Sequence, residues 1–145
     1  MNRRVLGSGR RLAILGAIVI LAGCFLPWWT VGGATGSLPT RSGNAFEASG
    51  ILVFLAALTT LAIVTLPFAA ERPVGVDRWP SYAVLAVVGW LGLLLRIIDL
   101  ATTDYFSIQA PAEVLSRNPG LWVAAIGLAI LSRAVYDMSG ERPRR

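Results

Sequence analysis

The stretch Trp79 to Asp104, WPSYAVLAVVGWLGLLLRIIDLATTD, decides the fold class. It carries no charge from Pro80 to Leu95, and then Arg96 and Asp99 follow, three residues apart and so on one face of a helix. About 20 apolar residues cross a bilayer core of about 30 Å, so the stretch reads as a membrane helix with an ionisable pair near one end. Ala86, Gly89, Gly92, Arg96, Asp99 and Thr103 fall on one stripe at spacings of three and four, and Val84, Val87, Leu91, Leu94 and Ile98 fall mainly on the other side. Small and polar residues gathered on one side of a membrane helix mark the side that packs on protein.

Working outward, three more stretches have the same character. Before it, Leu12 to Trp29 is unbroken and apolar, about 27 Å as a helix. It follows a basic arm with Arg3, Arg4, Arg10 and Arg11. It closes on Pro27, Trp28 and Trp29, where an aromatic belt meets headgroups. Ala13 and Ala17 form a small-xxx-small pair, and Gly16 recurs seven residues on as Gly23. The segment from Thr30 to Gly43 is rich in Gly, Ser and Thr and reads as a loop, long enough for a small hairpin. Asn44 with Glu47 three residues later is a capping-box arrangement, which opens a second span over 45–70 with Pro67 near its exit. A short polar connector over 71–79 makes the second and third spans antiparallel neighbours. After the third span, Tyr105 sits at the interface, and Asn118-Pro119 gives an N-cap followed by Pro at the first helical position. The last span then runs to about Tyr136, with small pairs Gly120/Ala124 and Ala125/Ala129.

The expected architecture is therefore all-α, an integral membrane antiparallel four-helix bundle in one domain. Its spans lie at about 12–29, 45–70, 80–103 and 119–136, with outer loops 30–44 and 104–118. Orientation follows from arginine. With both termini inside, the cytoplasmic segments hold Arg3, Arg4, Arg10, Arg11, Arg72, Arg78, Arg133, Arg142, Arg144 and Arg145, and the outer loops hold Arg41 and Arg117. Ten against two is a strong positive-inside bias and places the N- and C-termini in the cytoplasm.

Composition agrees. The chain of 145 residues is 55% hydrophobic and 14% charged, with mean hydropathy +0.66, too apolar for an ordinary soluble surface. All 13 basic residues are arginine, and they flank apolar segments, so the net charge of +5 points to membrane orientation and not to nucleic acid. The chain has no histidine, the usual general base and commonest metal ligand. Its single cysteine forbids an internal disulfide. Phosphate loops, nucleophile–base pairs and metal-ligand clusters are absent from the sequence, so the expectation is a non-enzymatic protein with no cofactor and no metal.

Three features compete for a functional role. Arg96 and Asp99 read as a packing clasp or a snorkelling pair, as a contact for a partner, or as a substrate or proton site, with Glu47 of the second span as a possible counter-charge. Against snorkelling, helical side chains lean toward the N-terminus, which here points away from the nearest water. Leu21-Ala22-Gly23-Cys24 resembles the lipobox of bacterial lipoproteins, which implies lipidation of Cys24 and loss of the first span. A buried cysteine is the other reading. Trp28, Trp29, Trp79 and Trp122, with Tyr105, sit at span ends and read as an interface belt.

Arg10-Arg11, the first span's ending Phe25-Leu26-Pro27-Trp28, the Gly-rich loop, Asn44-Ala45-Phe46-Glu47 and Arg96-Ile97-Ile98-Asp99 together cover nearly the whole chain. In this layout it resembles a group of small four-span membrane proteins of high-GC bacteria. The resemblance implies a multi-pass protein of a bacterial plasma membrane and brings no activity with it. Claudin-type proteins share the four spans but have a cysteine pair in the first outer loop, which this chain lacks.

The favoured expectation is an accessory or interaction subunit, held to another membrane protein or to itself through the faces built from Ala13, Gly16, Ala17, Gly23, Ala86, Gly89, Gly92, Gly120, Ala124, Ala125 and Ala129. One alternative is a small transporter or channel component with an outward-facing polar pocket at Arg96, Asp99 and Glu47. The other is a lipoprotein lipidated at Cys24 with three remaining spans.

Overall fold

The computed structural model describes residues 7–33, 39–69, 78–102 and 117–140. Four helices dominate: α1 (Ser8–Phe25), α2 (Gly50–Ala69), α3 (Trp79–Thr102) and α4 (Pro119–Gly140). Each is long and apolar enough to cross a membrane. Between α1 and α2 lie two short strands, β1 (Trp29–Val31) and β2 (Arg41–Gly43), which pair antiparallel with Trp29 opposite Gly43 and Val31 opposite Arg41. A loop expected over 30–44 is thus a small hairpin at its base. Thr103, Tyr105 and most of the expected loop 104–118 lie outside the described residues.

Helix ends differ from the sequence expectation for local reasons. The first helix stops at Phe25 and not at Trp29, because Leu26 precedes a proline and takes the extended conformation that this position favours (ψ 158°). The second starts at Gly50 and not at Ala45. The Asn44 carboxamide oxygen accepts from the Phe46 N–H at 3.1 Å, which makes a turn, and Ala48 adopts a left-handed backbone (φ 49°) before the helix begins. No capping box forms there: Glu47 gives its backbone carbonyl to the Gly50 N–H and uses its carboxylate elsewhere. Pro67 is accommodated within the last turn of α2. The fourth helix continues past Tyr136 to Gly140.

The core is thin and made of small residues. Along α1, Gly9 faces Ala134 and Met138, Gly16 faces Gly127 and Leu131, and Gly23 faces Gly120 and Ala124. At Gly16 and Gly23 these contacts are backbone to backbone, and at Gly9 the Met138 side chain joins them. A Cβ on Gly16 would lie 2.9 Å from the Leu131 nitrogen, and one on Gly127 would lie 2.7 Å from the Ile20 nitrogen. Glycine at a seven-residue repeat on both helices lets them approach so closely, in the manner of small-residue seams in lipid. Among the described residues this is the most extensive helix–helix contact, and that between α3 and α4 is much less extensive. There the Trp90 indole N–H donates to the Ser132 hydroxyl at 3.1 Å, and Ser132 in turn donates to the Leu128 carbonyl.

The outer surface of the bundle is large and apolar. Leu15, Ile18, Leu55, Val84, Val87, Leu91, Leu94, Ile98 and Ile126 are all exposed. In water such a surface would be an aggregation hazard, whereas in lipid it is matched to its solvent.

Candidate functional site

The strongest concentration of polar chemistry lies where the hairpin meets the ends of α2 and α3. Gly92 of α3 lets the start of α2 come close: a Cβ there would lie 2.8 Å from Leu52 Cβ and 3.2 Å from the Ser49 carbonyl oxygen. One turn further along the same face stands Arg96, only 5% exposed. Its Nη2 donates to Glu47 Oε2 at 2.9 Å, and its Nη1 donates to Asp99 Oδ2 at 2.5 Å. The Trp29 indole N–H donates to the same Glu47 Oε2 at 2.8 Å. Room for that junction comes from Gly43 opposite Trp29, since any Cβ there would collide with the Glu47 carboxylate and the Trp29 ring. Thus β1, β2, the turn before α2, and α3 all converge on one guanidinium.

Electrostatically this is a clasp with one buried cation and two half-exposed carboxylates, at 48% and 47% side-chain exposure for Glu47 and Asp99. Charge-assisted hydrogen bonds of this length are the strong class, and the guanidinium fork orients both partners. Arg96 Nε and Ser49 Oγ are buried with no hydrogen-bond partner among the described residues. A buried donor left unmet costs about 1–3 kcal/mol, so the clasp is not an optimised stability device.

Beside the clasp opens a cleft of about 240 Å³, lined by Phe25, Pro27, Ser42, Gly43, Asn44 and Glu47. Arg96 is not part of its lining. From the cleft an aromatic row leads down the α1–α2 groove: Phe25 meets Phe46 edge to face at 5.3 Å, and Phe46 meets Phe54 at 5.0 Å. Among the described residues, no group of three or more His, Cys, Asp or Glu is placed to hold a metal ion.

The small residues singled out in the sequence divide by face. Ala13, Gly16, Ala17, Gly23, Ala86, Gly89, Gly92, Gly120 and Ala124 are buried against other helices of the same chain, Ala125 is half-buried, and Ala129 is exposed. Most of these faces are thus occupied within the chain. On α4 the seam with α1 runs through Gly120, Ala124, Gly127, Leu131 and Ala134, and Ala129 faces away from the core.

The tryptophans need the same sorting. Trp28 is not an interface anchor. Because the chain leaves α1 at Pro27 and turns back, Trp28 is fully buried against Gly120, with its indole N–H on the Gly23 carbonyl at 2.9 Å. Trp29 is half-buried and braces Glu47. Trp79 and Trp122 are about half exposed on their helices. Tyr105 lies outside the described residues.

Cys24 is fully buried, and its carbonyl accepts from the Ala45 N–H at 3.3 Å. A lipid on that sulfur has no room in this fold. Cleavage before it would also remove every glycine that α1 contributes to its seam with α4.

Several contributors gave little sequence signal. Gly127 was hidden in an apolar run, although it falls at the seven-residue spacing between Gly120 and Ala134. Trp90 and Ser132, 42 residues apart, meet only through the packing of α3 on α4. Asn118 was expected to cap α4 with its side chain. Instead the Gly120 N–H is met by the Pro27 carbonyl at 3.0 Å, and the Asn118 amide is 1% exposed with neither polar atom bonded among the described residues. Compared with known proteins, the chain matches no family model, no curated protein and no solved structure.

Proposed function

We propose that this chain is a non-enzymatic, multi-pass protein of a bacterial plasma membrane. In this reading it is an antiparallel four-helix bundle with both termini in the cytoplasm, and it serves as an accessory subunit that offers another membrane protein the cap at its outer end. The antiparallel arrangement is supported by the descending order of contacts, in which Gly9, Gly16 and Gly23 meet progressively earlier residues of α4. The orientation is supported by ten arginines against two.

The observation that carries the functional reading is the Arg96 clasp. An ion-pair network with an unmet guanidinium N–H adds little stability over apolar packing, and its effect is to fix geometry. Here it fixes the hairpin on α3, leaving Arg41 and Ser42 exposed beside an open cleft. Most of the small-residue faces are filled from within the chain, and the cap offers a polar surface of defined shape for recognition.

The test is affinity capture of the full chain from its native membranes, with wild type and Arg96→Gln in parallel. The account expects a membrane partner at near-stoichiometric yield with wild type, lost with Arg96→Gln although the variant still inserts, and kept with the exposed-face change Ala129→Leu. Capture of the chain alone would contradict it. So would a solute flux that the purified chain supports in vesicles and Arg96→Ala abolishes, which would instead favour the transporter reading.

A further inference from the structure

We propose that the cleft beside the clasp seats the headgroup of a zwitterionic phospholipid bearing a primary amine, drawn from the leaflet at the hairpin end. This rests on the membrane reading above. The cleft stands at the end of α1, where an exposed phenylalanine, Phe25 at 67%, opens onto the row Phe46 and Phe54. The site is therefore amphiphilic: polar groups line its mouth and an aromatic path for an acyl chain leads away down the helices.

The polar groups select the headgroup. Glu47 lines the cleft, and among the described residues the two donors to its carboxylate, Trp29 and Arg96, both fall on Oε2. Oε1 is left to accept from a ligand, on a carboxylate already held in place by two donors. An ammonium that still carries N–H can satisfy that oxygen, whereas a quaternary ammonium cannot donate to it. Strand alternation puts Arg41 on the same face of the hairpin as Gly43, which lines the cleft. Arg41 is exposed and makes no ion pair among the described residues, so its guanidinium fork is available to the headgroup phosphate. One acid and one arginine flanking the same cleft match a zwitterion and disfavour a purely anionic headgroup.

The experiment is native mass spectrometry of the full chain in mild detergent with equimolar phosphatidylethanolamine, phosphatidylcholine and phosphatidylglycerol. Wild type should retain phosphatidylethanolamine about fivefold over each of the others, the effect of roughly one exposed charge-assisted hydrogen bond. Glu47→Gln should bring its retention down to that of phosphatidylcholine. Because Glu47 also serves the clasp, Arg41→Gln is the second variant: it touches nothing in the clasp and should cut phosphatidylethanolamine retention by about twofold to threefold. Equal retention of the three lipids by wild type overturns the proposal, as does a preference that survives both substitutions. Displacement of the lipid by millimolar free ethanolamine would show a soluble amine to be the ligand and overturns it too. Failure of the membrane reading looks different, as a chain that stays dispersed with no detergent present.

Discussion

Two of the seams that hold this molecule together work by opposite means. The α1–α4 seam has no charge along its contact line and lets two backbones touch through glycine, so its strength is dispersion over a long, close surface. The junction of α2, α3 and the hairpin holds its parts by one arginine, two carboxylates and an indole, at a handful of atoms. In lipid the hydrophobic effect does not favour one apolar helix face over another, so close packing must supply cohesion. Directional polar contacts then supply position. The first seam sets how firmly the bundle holds, and the second sets where its cap sits.

That contrast predicts a graded set of responses, read as unfolding free energy in detergent. The largest belongs to the glycine seam. Gly127→Leu drives a side chain into the backbone of α1 at Ile20 and Gly16, where nothing can swing aside, and should cost about 3 kcal/mol. Arg96→Ala comes next, at about 2 kcal/mol, below the usual figure for a broken buried pair because both carboxylates remain half in solvent. Its signature is local: amide exchange should quicken across residues 41–50 while the α1–α4 seam stays protected. Equal loosening of both regions would erase the distinction between the seams.

Asn118→Leu should act in the other direction. Replacing an orphaned buried amide by an apolar group of similar size should stabilise by about 1 kcal/mol. The smallest change is Trp90→Phe, which keeps the ring and loses the donor to Ser132. About 0.6 kcal/mol is the usual size of such an interhelical bond in a membrane. A loss as large as that of Arg96→Ala would show the thin α3–α4 contact to depend on polarity rather than packing.

What the sequence made legible follows the range of the interactions. Four helices long and apolar enough to cross a membrane could be read because bilayer thickness fixes a length that composition reveals locally. The stripe through Ala86, Gly89, Gly92 and Arg96 could be read because helical periodicity puts those residues on one face, and they are buried in the structure. Glu47 could be named as a counter-charge for Arg96, but its geometry depends on Ala48 turning left-handed and on Gly43 leaving space. Trp28 and Asn118 were misread for a shared reason. Local rules assign a span-end tryptophan to the interface and an Asn before Pro to a cap, whereas the reversal at Pro27 places the ring over Gly120 and its carbonyl on the Gly120 N–H. The hairpin pairs residues too far apart, over too few hydrogen bonds, for alternation to show.

The central claim is that lipid separates the hairpin cap from the far ends of α1 and α4. Its most direct test is labelling of intact cells with a membrane-impermeant thiol reagent, using Ser42→Cys and Ser139→Cys, both at exposed positions. The native thiol, Cys24, is fully buried and should stay silent. The account predicts that Ser42→Cys labels in intact cells and that Ser139→Cys labels only after the membrane is opened. Labelling of both from the same side, or of Ser139→Cys alone, would contradict it.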